Sequence, residues 1–118
     1  MKRKLVAILY ADVAGYSHLT GIDEEETHEK LNAGLNLLTD TISAHGGHKV
    51  HEAGDAILAE LESVTDAVNA AIEFQREMDA FNKKLSKEAR FEFRVGLNLG
   101  EVIHDRDDIY GDGVNVAA

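Results

Sequence analysis

A chain of 118 residues is one domain, long enough for a single core, and with three Tyr, four Phe and no Trp that core is mostly aliphatic. Its net charge of -10 argues against non-specific nucleic-acid binding, which sets Lys and Arg against phosphates, so any phosphate it holds needs metal ions. The absence of Cys removes disulfides, thiolate catalysis and zinc-thiolate sites, and no stretch is long enough to span a bilayer.

The opening MKRK followed by LVAILYA has the outline of a secretory signal, but its apolar run stops at Asp12. It is therefore read as mature structure, and the protein as cytoplasmic. Leu5 to Ala11, short and aliphatic, predicts a strand buried on both faces. Asp is rarely buried without a partner or a metal, so Asp12 is expected where that strand surfaces, facing something cationic. The segment after it, containing Gly15, Tyr16 and Ser17, offers backbone N–H groups near the carboxylate. Together they could hold a metal-bound polyphosphate.

Asp23 with Glu26 forms an approximate capping box ahead of a helix that carries Leu31, Leu35, Leu38 and Ile42 at helical spacing and stops at Gly46-Gly47. Glu24, Glu25, Glu26 and Glu29 suit its positive end and read as a solvated face. His48 to Ala53 and Ala56 to Leu61 read as two strands joined at a tight Gly54-Asp55 turn, a hairpin with a carboxylate at its tip. Ser63 and Asp66 start a second helix, with Val64, Ala67, Val68, Ala71, Ile72, Met78 and Phe81 as its apolar face and an end near Lys83 to Ser86.

Phe91, Phe93, Val95 and Leu97 alternate with Glu92, Arg94, Gly96 and Asn98, the clearest period-two strand in the chain. Asn98 to Gly100 is expected to turn it into a further strand, Glu101 to His104. After the acidic loop Asp105 to Asp108, residues Val114 to Ala118 read as the first turn of a helix. The order strand, helix, strand, strand, helix, strand, strand predicts an α+β sandwich, one sheet covered by helices.

Two carboxylates, Asp12 and Asp55, stand at the ends of strands that could be neighbours. As a pair they could hold two divalent ions, because magnesium is bound by one or two carboxylates plus substrate phosphates. The competing reading is structural, with Asp55 making the turn and Asp12 capping a following helix. His45, His48 and His51 recur at intervals of three. On a regular strand such residues face opposite sides, which argues against a shared metal.

The segments AILYADVAGYS, HEAGDAIL, FRVGLNLGEVI and DDIYGDGVNVAA, in this order and spacing, resemble the class III nucleotidyl (adenylate or guanylate) cyclase catalytic domain, especially its bacterial forms. The resemblance spans nearly the whole chain. It implies a ferredoxin-like α+β sandwich of the nucleotidyl cyclase type that dimerises head to tail, with active sites between protomers. Residues 1–118 would be a partial catalytic domain, lacking the family's C-terminal helix and strands, and part of the apolar sheet surface should then lack its cover.

Carried over by position, Asp12 and Asp55 match the aspartates that bind two catalytic ions, Mg2+ or Mn2+, and Val13 would add a backbone carbonyl to one of them. Gly15, Tyr16 and Ser17 would line the phosphates. Asp108 matches a purine-reading position in its ATP-selecting form, which places ATP ahead of GTP, and Asn115 matches the residue that orients the ribose. Two departures stand out. His51 occupies the purine position where the family usually has Lys, and the family's Arg four residues after the matched Asn would fall beyond Ala118. The implied function is conversion of ATP to cyclic AMP and pyrophosphate, with weak or no turnover by these residues alone. The rival is a catalytically silent module that binds nucleotide or a partner domain.

Overall fold

The computed structural model describes residues 2–14, 24–85, 87, 90–105 and 108–110. In chain order these form β1 (Lys2–Ala14), α1 (Glu24–Ala44), β2 (His48–Ala53), β3 (Ala56–Leu61), α2 (Val64–Asn82), β4 (Glu92–Asp105) and β5 (Asp108–Tyr110). The five strands make one antiparallel sheet in the order β2-β3-β1-β4-β5. The α+β sandwich expected from the element order is the architecture found.

β1 is the central strand, paired along one edge with β3 and along the other with β4. A strand so placed has both faces inside, which is why its sequence is a continuous apolar run rather than an alternating one. Its odd-numbered residues Ala7, Leu9, Ala11 and Val13 join the core beneath the helices, and its even-numbered Val6 and Ile8 join a second, smaller cluster on the opposite face. The expected strand grew at both ends because β4 offers a partner along its whole length, from Lys2 opposite His104 to Ala14 opposite Glu92.

That long ladder also removes the turn expected at Asn98 to Gly100. These residues pair in register with Ile8, Ala7 and Val6, and β4 runs through them to Asp105. Asn and Gly favour turns only where no neighbouring strand claims their backbone groups. The hairpin comes later, between Asp105 and Asp108, and Asp108 lies in β5 rather than in a loop.

The helix α1 buries Leu31, Leu35, Leu38 and Ile42 as its spacing predicts. It closes with Gly47 N–H donating to the Ile42 carbonyl at 2.9 Å and Gly46 N–H donating to that of Ser43 at 3.1 Å, while Gly46 holds φ at 80°. This is a Schellman closure, and glycine is the residue that takes its left-handed position without steric cost. Gly34 serves a different need. A Cβ there would lie 2.7 Å from the Phe93 ring, so its bare backbone lets α1 settle onto the sheet.

For α2 the expected apolar face is corrected in part, with Ala67, Met78 and Phe81 in or against the core as expected. Ser63 caps the helix, its Oγ accepting the Asp66 N–H at 3.1 Å, but the buried residues are Ala67, Ala70, Phe74 and Met78. Val64, Val68 and Ile72 are 43%, 37% and 44% exposed. Two overlapping stripes fit the same period, and the large aromatic decides between them. Phe74 stacks edge-on against Phe93 at 5.1 Å, a geometry the smaller valines cannot replace. Val64, Val68 and Ile72 on α2, Leu5 on β1 and Leu99 on β4 are the large apolar side chains left exposed among the described residues. Asn82 ends the helix by gripping β4's entry: its side chain donates to the Phe91 carbonyl at 2.8 Å and accepts the Phe91 N–H at 3.2 Å.

The two edges of the sheet do not stay apart. β2 and β5 come within 8 Å of each other, Cα to Cα, although three strands separate them in the sheet. The sheet therefore curls over its helix-free face, enclosing Val6, Ile8 and Val102 with Tyr10, Val50 and Leu58 around them.

Candidate active site

The residues that could carry chemistry gather on that helix-free face, at the end of β1. Asp12 sits in register between Ala56 of β3 and Arg94 of β4. Residues directly opposite on neighbouring strands project to the same face, so strand pairing alone brings Asp12 and Arg94 together. Arg94 Nε donates to one Asp12 oxygen at 2.8 Å and Nη2 donates to the other at 3.0 Å. This planar fork is the geometry in which a guanidinium holds a carboxylate best. Asp12 thus surfaces beside a cation, as its place in the sequence predicts.

Asp55 lies in the turn between β2 and β3, immediately before Ala56, the residue opposite Asp12. The two carboxylates therefore flank one strand end. Arg94 registers both: its pKa is raised above the ordinary arginine value first by the hydrogen bond to Asp12, then by the Asp12 charge, and further by the charge of Asp55. One guanidinium within the field of both is a stand-in for the cation such a pair could bind. Among the described residues no cluster of three or more His, Asp or Glu side chains gathers. Two carboxylates suffice for magnesium or manganese when the substrate's phosphates complete the shell, so the donor set fits.

Val13 follows with its side chain buried beneath the helices, leaving only its backbone for a ligand. The β3 ladder ends at Asp12 opposite Ala56, so among the described residues Val13 and Ala14 of β1 are unpaired on that side. Gly15, Tyr16, Ser17 and Asn115 lie outside the described residues, as do Asp23 of the capping box and the terminal segment Val114 to Ala118.

His51 is exposed on β2 opposite Leu58, and Asp108 stands on β5 opposite Asp105. The two strands carrying the expected purine-reading positions, β2 and β5, approach within 8 Å, Cα to Cα, without pairing. A bulge in β2 changes the histidine reading. The register slips between Lys49 and His51, so His48 faces Glu60 and His51 faces Leu58, two positions on the same side of β3. His48 and His51 thus share a face, which regular alternation had excluded. His48 is already engaged, its Nε2 lying 3.0 Å from the carboxylate of Glu60, which is only 4% exposed. A further groove, about 290 Å3 between α1 and α2 and lined by Gly34, Leu37, Met78 and Phe81, lies on the helix side of the sheet, away from Asp12.

Arg94 is the site residue that the sequence reading passed over. It stood in plain view as the polar partner in the β4 alternation, but which residue of β1 it would face depends on register, which no local pattern encodes.

A profile of the "Adenylate and Guanylate cyclase catalytic domain" family matches residues 2–118. The chain is 40% identical over 119 aligned positions to "Putative adenylate cyclase 3" of Rhizobium meliloti, and 29% identical over 119 to "Adenylate cyclase" of Streptomyces coelicolor. Both alignments take in 100% of this chain but only 20% and 30% of those proteins, so the chain spans less than a third of the curated relatives it matches. The crystal structure of an adenylate/guanylate cyclase/hydrolase from Silicibacter pomeroyi superposes with a TM-score of 0.85 at 34% identity, covering 99% of this chain and 68% of that one.

Proposed function

The chain belongs to the adenylate and guanylate cyclase catalytic-domain family, and on that premise we propose that it serves as part of an adenylate cyclase, converting ATP to cyclic AMP and pyrophosphate. The observation that carries this reading is the carboxylate pair. Asp12 and Asp55 flank one strand end with a guanidinium already resting on the first. Divalent ions held there, Mg2+ or Mn2+, would activate the ribose 3′-hydroxyl for in-line attack on the α-phosphate and neutralise the triphosphate.

The chain's own residues bind and orient. Asp12 and Asp55 supply negative oxygens for two ions, and the Val13 carbonyl adds a neutral one. Gly15, Tyr16 and Ser17 receive the phosphates, and Asn115 orients the ribose. His51 and Asp108 read the purine. Asp108 accepts a hydrogen bond from an exocyclic amine, which favours ATP over GTP, and neutral His51 can give or take one. The reaction needs no side-chain nucleophile; positioning and charge stabilisation carry it. In a head-to-tail homodimer the metal pair of one protomer would face the purine pair of its partner. The reaction product is a cytoplasmic signal.

A second reading is a catalytically silent nucleotide-binding or regulatory module, favoured by His51 in place of Lys. A cyclisation assay with excess Mn2+, offering ATP and GTP separately to the chain and to Asp55→Ala, decides between them. Cyclic AMP formed from ATP, at the weak turnover expected of these residues alone, and lost in Asp55→Ala would establish the enzyme. No product, with metal-dependent nucleotide binding lost in Asp55→Ala, would support an inactive part of the enzyme or the silent module. Absence of both product and binding would leave only the fold.

A further inference from the structure

Arg94 does more at this site than neutralise a carboxylate. It holds both oxygens of Asp12 at 2.8 and 3.0 Å, so the fork engages the whole carboxylate rather than one corner of it. The contact is built by the backbone: Asp12 and Arg94 are opposite each other in a ladder that runs unbroken through thirteen register pairs. The arm itself, by contrast, lies in solvent. The Arg94 side chain is 69% exposed while that of Asp12 is 21% exposed, and among the described residues Arg94 has no other hydrogen-bond acceptor. A preset contact made by a solvent-exposed side chain, with room to swing, is what a displaceable occupant requires.

We infer that Arg94 is an internal competitor for the metal, a latch that keeps Asp12 from binding a divalent cation until an anionic ligand draws the guanidinium away. This rests on the reading of Asp12 and Asp55 as the metal carboxylates. A bare cation meets a carboxylate already neutralised and a positive charge within a few ångströms, and both lower its affinity. A cation arriving with a polyanion meets neither obstacle, because the anion offers Arg94 new oxygens as Asp12 is released. Metal and polyphosphate are then taken up cooperatively. Each gives the other its site, and by linkage the factor is the same in both directions.

The test needs no turnover. Mn2+ alone is titrated, with the free ion read by electron paramagnetic resonance, into the wild-type chain, Arg94→Gln, Asp12→Asn and Asp55→Asn, each checked for folding by circular dichroism. Arg94→Gln should bind Mn2+ about tenfold more tightly than wild type, the effect of removing one nearby positive charge at a partly screened site. Inorganic tripolyphosphate should tighten Mn2+ binding in the wild-type chain by more than it does in Arg94→Gln. Equal or weaker Mn2+ binding in Arg94→Gln, with binding reduced in both aspartate variants, would overturn the latch and leave the metal pair standing. Mn2+ binding unaffected in Asp55→Asn would overturn the metal pair itself. Should Arg94→Gln not fold, Arg94→Lys makes the same comparison, since it keeps the charge and loses the fork. A tightening of about threefold supports the latch, and none refutes it.

Discussion

Along β1, the residues facing the helices are Ala7, Leu9, Ala11 and Val13, while those facing away are Val6, Ile8, Tyr10 and Asp12. The first set sits in a continuous core with Leu38, Ile42, Phe74 and Phe93, closed by two helices. The second set begins as a small apolar cluster, with the His48–Glu60 contact level with Ile8, and ends in the Asp12–Arg94 fork. One strand therefore serves two surfaces under different demands. The helix face is covered by the chain's own helices and can be wholly apolar. The other face is enclosed by the sheet's own curl, and at its open end it carries charge. Stability should follow the first face and ligand binding the second.

The largest expected effect tests the helix face. Phe74→Ala removes a fully buried ring and its edge-on partner contact with Phe93 and should lower the unfolding free energy by about 3–5 kcal/mol, measured by urea denaturation. A loss below about 1 kcal/mol would mean that the exposed Val64-Val68-Ile72 stripe, not the Phe74 stripe, faces the core. Asn82→Ala should cost less, about 1–3 kcal/mol in the same experiment, since it strips two hydrogen bonds from the Phe91 backbone where β4 enters the sheet. Restoration by Asn82→Asp would show that the contact from the Phe91 N–H suffices; failure would assign the effect to the bond that Asn82 donates.

The smallest stability effect belongs to the other face. Asp55→Asn should change unfolding free energy by less than about 1 kcal/mol, since Asp55 lies in a half-exposed turn, while abolishing metal-dependent nucleotide binding measured by calorimetry. A variant that lost several kcal/mol and kept its nucleotide would erase the distinction between the faces. Membership of the cyclase family adds weight to the binding half of this expectation.

Most elements were legible locally. The β2–β3 hairpin has the bounds its turn predicts, α1 buries the four apolar residues its spacing selects, and Ser63 caps α2 as its partner Asp66 announces. These features are short-range: a cap, a turn residue and an apolar period each act within a few residues of themselves. The misreadings share the opposite character. The helical period in α2 admits two stripes, and only the position of Phe93 across the layer selects Phe74 over Val64, Val68 and Ile72. Asn98-Leu99-Gly100 has turn chemistry, but a thirteen-residue partner strand holds it extended. The bulge at Lys49 to His51 returns two histidines to one face, because a single extra residue reverses alternation.

The candidate site divides in the same way. The sequence by itself determined that Asp12 interrupts the apolar run of a strand and that Asp55 tips a hairpin, because a charged residue beside a buried run has few places to go. Its motifs also sufficed to indicate the cyclase family, which the match over residues 2–118 bears out. Only the tertiary structure decided that Asp12 and Arg94 stand opposite each other, that Asp55 adjoins the same strand end, and that β2 meets β5 across the curl. Register and curvature are properties of strands already paired. They are set by the sum of many cross-strand contacts, and no window of sequence contains that sum.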